Sequence, residues 1–453
     1  MKTNSSINSS LKTGSESTQE QHADCLDHEW KRSRTDPVRE DLLKRKKTPD
    51  LEVIRNLFPP LTGNAAFDQH VIEGNIERLR TVPEVDTGHP LLDLSVKTGL
   101  AFIDAAFQGD HPKYGIGEYG KNCHDGFPPT IIAAVDALSC WGLNSRASQL
   151  FRYWLVNFVR DDGTIRYRGT SLAELGQLLY TAMLLEERAG AEGWWDEGYA
   201  ALDRMAEHLL ALFRKAEDGL LVGVPEDDEK EKVGKYFHNN AWVAKGLRNW
   251  ADLCERRKNR PATETSVIRR ISEAVAGNTL EAIRRCWPED PSDWWLPPQV
   301  EHLERPQSLT STREASYTNY RYWPELLSSG LLPKEMAERV VQARLSAGGQ
   351  FCGMTRFGDW LDDWPLADYL HGLWQLGKKQ DFLLSLYGHV TYHQAKGHLT
   401  AYEQVTFPAG REKAPYCLPC QLVAARTARL LVKMKIGGSP KIGKAGTKSA
   451  KST

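Results

Sequence analysis

Residues 128–159 read PPTIIAAVDALSCWGLNSRASQLFRYWLVNFV, and this stretch decides the fold. Apolar residues recur at helical spacing on both sides of Gly142-Leu143-Asn144. Pro128 sits at the start of the first half, where a missing N–H costs nothing. Two helices joined by so short a connector must lie antiparallel, as a hairpin. The first half is rich in small and apolar residues, which suits an inner position.

Outward from this hairpin, the same spacing predicts twelve helices: 91–107, 128–141, 145–159, 171–188, 193–215, 238–257, 265–287, 317–329, 333–347, 365–377, 378–395 and 416–434. Ser145 and Ser171 are candidate N-caps, and Pro333 and Pro365 are first-turn residues. Strand signals are confined to GTIRYRG and GLLVGV, read as hairpin pieces in loops. The connectors alternate. Those after even-numbered helices hold roughly two to seven residues, and those before them roughly 12 to 29. The long ones are 108–127, 159–170, 217–236, 288–316, 348–364 and 396–415. Six hairpins in a closed ring satisfy this rhythm: an all-α (α/α)6 toroid, with even helices inside and every long loop on one face. No fixed repeat period supports a tetratricopeptide-like solenoid.

Composition narrows the function classes. The 453 residues carry 58 Lys plus Arg against 59 Asp plus Glu, so broad polyanion binding, and with it a nucleic-acid partner, is not expected. No apolar run is long enough to span a bilayer, and no signal peptide opens the chain, so a cytoplasmic protein without a membrane partner is expected. Cys417-Leu-Pro-Cys420 is the one close pair among eight scattered cysteines, with no second pair beside it; no metal and no cofactor are expected. Residues 1–50 are polar and Ser-rich and read as a disordered arm, 51–435 as the barrel domain, and 436–453 as a disordered basic tail.

Long loops in a compact domain carry function. The first holds Asp125, which either caps the next helix or meets substrate. The second carries Arg166, Tyr167 and Arg168. The third has the acidic run PEDDEKEK, read as a solvated tip, then His238, Asn239 and Trp242, whose amide and imidazole can bond hydroxyls in both directions. The fourth holds Trp294 and Glu314 and leads into Tyr317, Tyr320 and Arg321 at a helix start. The fifth gathers Arg356, Asp359, Trp360, Asp362, Asp363 and Trp364. The sixth brings His398, Tyr402, Glu403 and Gln404 together. Six of the fourteen Trp (Trp242, Trp294, Trp295, Trp323, Trp360 and Trp364) are expected around the opening.

With its hairpin count and one-sided loops, the chain resembles the six-hairpin glycosidase superfamily over roughly residues 85–435. His238–Leu247 (HNNAWVAKGL) looks like the inner-helix start of several such families. Tyr402-Glu403-Gln404 is similar to the Ser-Glu-Gln segment of glucoamylases, whose Glu is the catalytic base. The aromatic-rich segment with the glucoamylase acid has no counterpart here. The resemblance implies acid/base hydrolysis of a small glycoside or oligosaccharide, by inversion, with carboxyls roughly 6.5–9.5 Å apart. Glu403 is then the base. Asp363, Asp359, Glu314 and Asp125 are the candidates for the acid. Trp294, Trp360, Trp364, Tyr317 and Tyr402 would stack on sugar faces. His238, Asn239, Arg321 and Arg356 would bind hydroxyls or a uronate carboxylate. Three other readings stay open: a polysaccharide lyase on the same toroid, a terpenoid cyclase without its acidic motif, and a catalytically inactive toroid that binds a sugar or a partner.

Overall fold

The computed structural model describes residues 82–435, apart from 168, 170, 190–193, 227–231, 289–294, 301–305, 396–398, 407–411 and 414–416. The expected arm, the first part of the expected barrel domain and the tail lie outside the described residues. So do Arg168, Trp294 and His398.

Among the described residues, twelve main helices follow in order, besides two short 3-10 turns in the first long loop: α1 Pro90–Ala106, α2 Pro128–Cys140, α3 Asn144–Phe158, α4 Leu172–Ala189, α5 Trp195–Lys215, α6 Phe237–Arg257 and α7 Ala262–Arg285. Next come α8 at 313–329, with a π turn over Thr318–Tyr322, α9 Lys334–Ser346 and α10 Leu366–Gln375. The last two are α11 at 379–393, ending in a π turn over His389–His393, and α12 at 418–435. The even helices form the expected ring: α2 packs on α4, α4 on α6, and so on through α8, α10 and α12 back to α2. Odd helices lie outside it, α3 against α2, α7 against α6 and α11 against α10. No described helix is long and apolar enough to cross a membrane.

Local chemistry sets the helix starts. Ser171 and Glu174 form a capping box: the Ser171 hydroxyl accepts from Glu174 N at 3.3 Å, and the Glu174 carboxylate accepts from Ser171 N at 3.0 Å. Ser145 does not cap, because α3 begins one residue earlier, at Asn144. Trp154 and Trp250 are fully buried, as their helical positions suggested. Trp295 and Trp323 depart from expectation. Their rings meet at 5.2 Å inside the main core, not at an opening.

The sequence reading missed a small antiparallel meander over the fifth and sixth long loops. Its strands are β1 Gln350–Phe351, β2 Met354–Phe357, β3 Trp360–Leu361, β4 Gln404–Val405 and β5 Glu412–Lys413, paired in that order. Leu361 pairs with Val405, which joins the two loops. The two hairpin pieces expected elsewhere are single bridges, Val159 with Ile165 and Gly223 with Gly234.

The closest helix pair in the ring is α4 with α6, and two glycines permit it. A Cβ on Gly176 would stand 2.1 Å from the Trp242 carbonyl oxygen, and one on Gly246 would stand 2.4 Å from the Gly176 carbonyl oxygen. Both obstacles are backbone and cannot rotate away. Gly176→Ala is therefore expected to destabilise the protein by about 1–3 kcal/mol, despite alanine's better helix propensity. A thermal melt unchanged or raised by this substitution contradicts the close approach.

Candidate active site

The six long loops converge on a second buried cluster, distinct from the main core. Tyr114 and Phe127 come from the first loop, and Tyr236 from the third. Tyr317, Tyr320 and Tyr322 come from the start of α8, Trp364 from the fifth loop, Ala401 from the sixth, and Cys417 and Cys420 from the start of α12. Tyr119, Tyr167 and Phe357 pack on it from the rim. Among the described residues, tyrosines make up most of this cluster, and Trp364 is the tryptophan in it. The first loop is tied to the start of α12 where Leu418 N donates to the Tyr114 carbonyl at 2.8 Å.

Two carboxyls meet at this cluster, Glu403 and Asp362. Tyr119 donates its hydroxyl to Glu403 Oε2. Asp362 is 2 % exposed, accepts from Gln404 Nε2 at 2.9 Å and takes the Trp364 backbone N–H at 3.0 Å. Burial, and next the Glu403 charge, push the Asp362 carboxyl up to about 8, against the lowering pull of those hydrogen bonds. Burial and then the Glu403 charge also push the Tyr119 hydroxyl well above the tyrosine range. Tyr320 shifts upward through burial and then the Asp362 charge. One carboxyl is thus held as an acid near neutral pH, with a half-buried second carboxyl beside it.

Asp362 was not among the four acids proposed from the sequence, which were Asp363, Asp359, Glu314 and Asp125. Asp363 is fully buried and points the opposite way from its neighbour. It accepts from Thr355 N at 2.8 Å and pairs with His389 Nδ1 at 2.9 Å. Asp359 is exposed at the tip of the β2–β3 hairpin. Asp125 does not cap α2: Lys113 Nζ at 2.8 Å and His111 Nε2 at 2.8 Å hold it. Glu314 lies in the first turn of α8, and the helix is capped by Thr312 instead. Adjacent residues of an extended chain face opposite sides, so which of Asp362 and Asp363 enters the site depends on a strand register the sequence does not state.

The proposed binding residues also divide. Tyr317, Tyr320, Trp364 and Gln404 lie at the site. Tyr402 packs instead on a small cluster of Cys352, Met354, Leu361 and Val405. Arg356 turns back on its own hairpin, donating to the Gly358 carbonyl at 3.3 Å, and Trp360 pairs with Phe357 across that hairpin. Asn239 is fully buried and staples backbone: it accepts from Ala173 N at 3.1 Å and donates to the Val224 carbonyl at 3.0 Å. His238 stacks on Tyr322 at 4.5 Å, and burial lowers it to about 3, so it stays neutral. Trp242 donates its indole N–H to the Glu325 carbonyl at 2.9 Å, deep in the ring.

Arg321 forms the floor. It is 2 % exposed, stacks 4.3 Å from the Trp364 ring centroid, and is paired with Glu174, Glu226 and Glu325. One guanidinium faces three carboxyls, and burial pushes Glu325 up to about 7, which limits the negative charge. Glu226 belongs to the acidic run read as a solvated tip; the arginine draws it inward.

Asp363, His389 and His393 place one ligand atom each within 4.8 Å of one another, so their donor set could hold a metal ion, a possibility the sequence reading did not raise. The three are already bonded among themselves, since His393 Nε2 accepts from Asp363 N at 3.2 Å. Without a metal, they act as a brace under β3 and β4.

No protein-family model matches the sequence, and no curated protein does. Among solved structures, a glycosidase variant matches with a TM-score of 0.54 at 12% identity, over 75% of this chain and 96% of that one. A glycosidase variant in complex with glucose gives 0.53 at 12%, over 75% and 96%. A rhamnosidase from Klebsiella oxytoca with rhamnose bound gives 0.53 at 12%, over 78% of this chain and 66% of that one. The chain has the six-hairpin glycosidase fold, an (α/α)6 toroid, as the resemblance implied.

Proposed function

We propose that the protein is a glycoside hydrolase in which Asp362 is the general acid and Glu403 the general base. The observation that carries this reading is the pairing of a proton-retaining carboxyl with a second carboxyl inside a tyrosine-lined site. Asp362 would protonate the glycosidic oxygen as the bond to the anomeric carbon breaks. Glu403, oriented by Tyr119, would take a proton from the water that attacks that carbon. Tyr317, Tyr320 and Trp364 offer faces for sugar rings, and the likeness to glycosidases supports a carbohydrate substrate. The substrate is a small glycoside or oligosaccharide, and we place the protein in the cytoplasm, which cell fractionation tests.

Glu403→Gln and Asp362→Asn are each expected to lower kcat on an aryl-glycoside panel by about 10²–10⁴-fold, in line with loss of a positioned acid or base. Asp359→Asn should stay within about threefold, because that residue stands outside the site. Equal effects at all three positions contradict the assignment. A product absorbing as a new carbon–carbon double bond indicates lyase chemistry instead.

Stability carries a second signature. The Asp362 carboxyl is raised in the folded state, so its stabilising contribution is complete below the unfolded value of about 4 and is lost as pH rises through about 8. Asp362→Asn removes that loss. The variant should gain stability relative to the wild type between pH 4 and 8, measured by urea unfolding at both ends. A constant difference contradicts the raised acid. Activity should also fall above about pH 8, as Asp362 gives up its proton.

A further inference from the structure

The ring interior below Trp364 is not filled. A cavity of about 220 Å³ runs along the barrel axis, lined by all six inner helices. Its walls carry Asp136, Arg188, Lys245, Asp368, His371 and Arg426. Exposure marks its direction. Trp364 and Glu325, at the end nearest the long loops, are buried, whereas Arg188 is 29 % exposed and Gln375 is exposed, both at the C-terminal ends of inner helices. The cavity therefore opens on the short-turn face. At that end Arg321 joins Trp364 and Glu325 as a partition, and neither Asp362 nor Glu403 is among the residues that line the cavity.

The charges are arranged for a ligand. Asp136 is shared between Arg188 at 2.8 Å and Arg426 Nε at 3.0 Å. Asp368 accepts from the Ser328 hydroxyl at 2.9 Å. Lys245 donates to the Ser328 carbonyl at 2.9 Å, and its ammonium lies 4.4 Å from the ring centroids of Tyr180 and Trp242. Glu325 is committed to Arg321. Two arginines and a lysine then face two aspartates, which leaves one positive charge in excess. An ammonium has three donors, and Lys245 makes one hydrogen bond to a described residue. Burial lowers Lys245 to about 8, a cost that a bound anion would offset. Beside these cations, Asp368 and Gln177 present groups that bond hydroxyls.

We propose that this cavity is a second ligand site, opening opposite the candidate active site, for a hydroxylated monocarboxylate of monosaccharide size. The carboxylate would sit on Lys245 and Arg426, and the hydroxyls would bond Asp368, Gln177 and His371. The site goes beyond the hydrolase reading and stands without it, because its readout is binding and not turnover.

D-Glucuronate is the probe, titrated into the full-length protein by calorimetry, with D-glucose as the uncharged comparison. One saturable glucuronate site is expected, with glucose weaker by about tenfold or more, the cost of a lost charge-assisted bond. Lys245→Met should weaken glucuronate by a similar factor. His371→Phe, which fills the cavity without removing a buried charge, should do the same and decides the matter if Lys245→Met does not fold. Glu403→Gln should leave glucuronate binding within about twofold, since the partition separates the sites. The proposal is overturned by the absence of saturable binding, by glucose binding as tightly, or by binding that Glu403→Gln abolishes while the cavity variants retain it.

Discussion

One rung of antiparallel pairing, Leu361 with Val405, sets the geometry of the candidate site. It joins the loop that enters α10 to the loop that enters α12, and so brings Asp362 beside Glu403 although forty residues of chain lie between them. The rung is possible because α10 and α12 are neighbours in the ring. It is held from below: His389 fixes the Asp363 carboxylate, and His393 accepts the Asp363 N–H. Two adjacent aspartates then do opposite work. Asp363 is consumed by the brace, and Asp362 is left facing the tyrosines.

Electrostatics divides the barrel axis into two compartments. On the long-loop side, burial and a neighbouring negative charge keep a proton on Asp362. In the middle, Arg321 under Trp364 gathers carboxyls from α4, the third loop and α8. On the short-turn side, two arginines share Asp136, and Lys245 is boxed by two aromatic rings. A buried ion network of this kind contributes little net stability, because desolvation offsets the attraction, but removing one member is costly. The arrangement is therefore better understood as positioning Trp364 and Glu325 than as a source of stability.

The helical ring was legible in the sequence because it depends on local quantities: apolar spacing, helix-start residues and connector lengths. The long-loop face followed from the same arithmetic, whereas Glu403 was singled out by its Leu-Thr-Ala-Tyr setting and its likeness to the glucoamylase Ser-Glu-Gln segment. What could not be read were outcomes of contacts distant in sequence. Asp362 and Asp363 are chemically identical neighbours, and His389, some 26 residues on, decides which one is occupied. Glu226 read as solvent-facing because its partner, Arg321, is 95 residues away. His238 and Asn239 had the chemistry of sugar ligands, but their helix starts are spent on stapling the third loop and packing Tyr322. The tryptophan count pointed at the opening, whereas Trp295 and Trp323 went to the core and tyrosines took the rim.

The central claim is that Asp362 and Glu403 form one coupled pair. Carbon-13 NMR titration of the aspartate side-chain carboxyls, with the Asp362 signal assigned by its loss in Asp362→Asn, tests it most directly. The account gives a midpoint near 8 in the wild type and a downward shift when Glu403→Gln removes the neighbouring charge. A midpoint near the ordinary aspartate value of about 4, unmoved by Glu403→Gln, would contradict it.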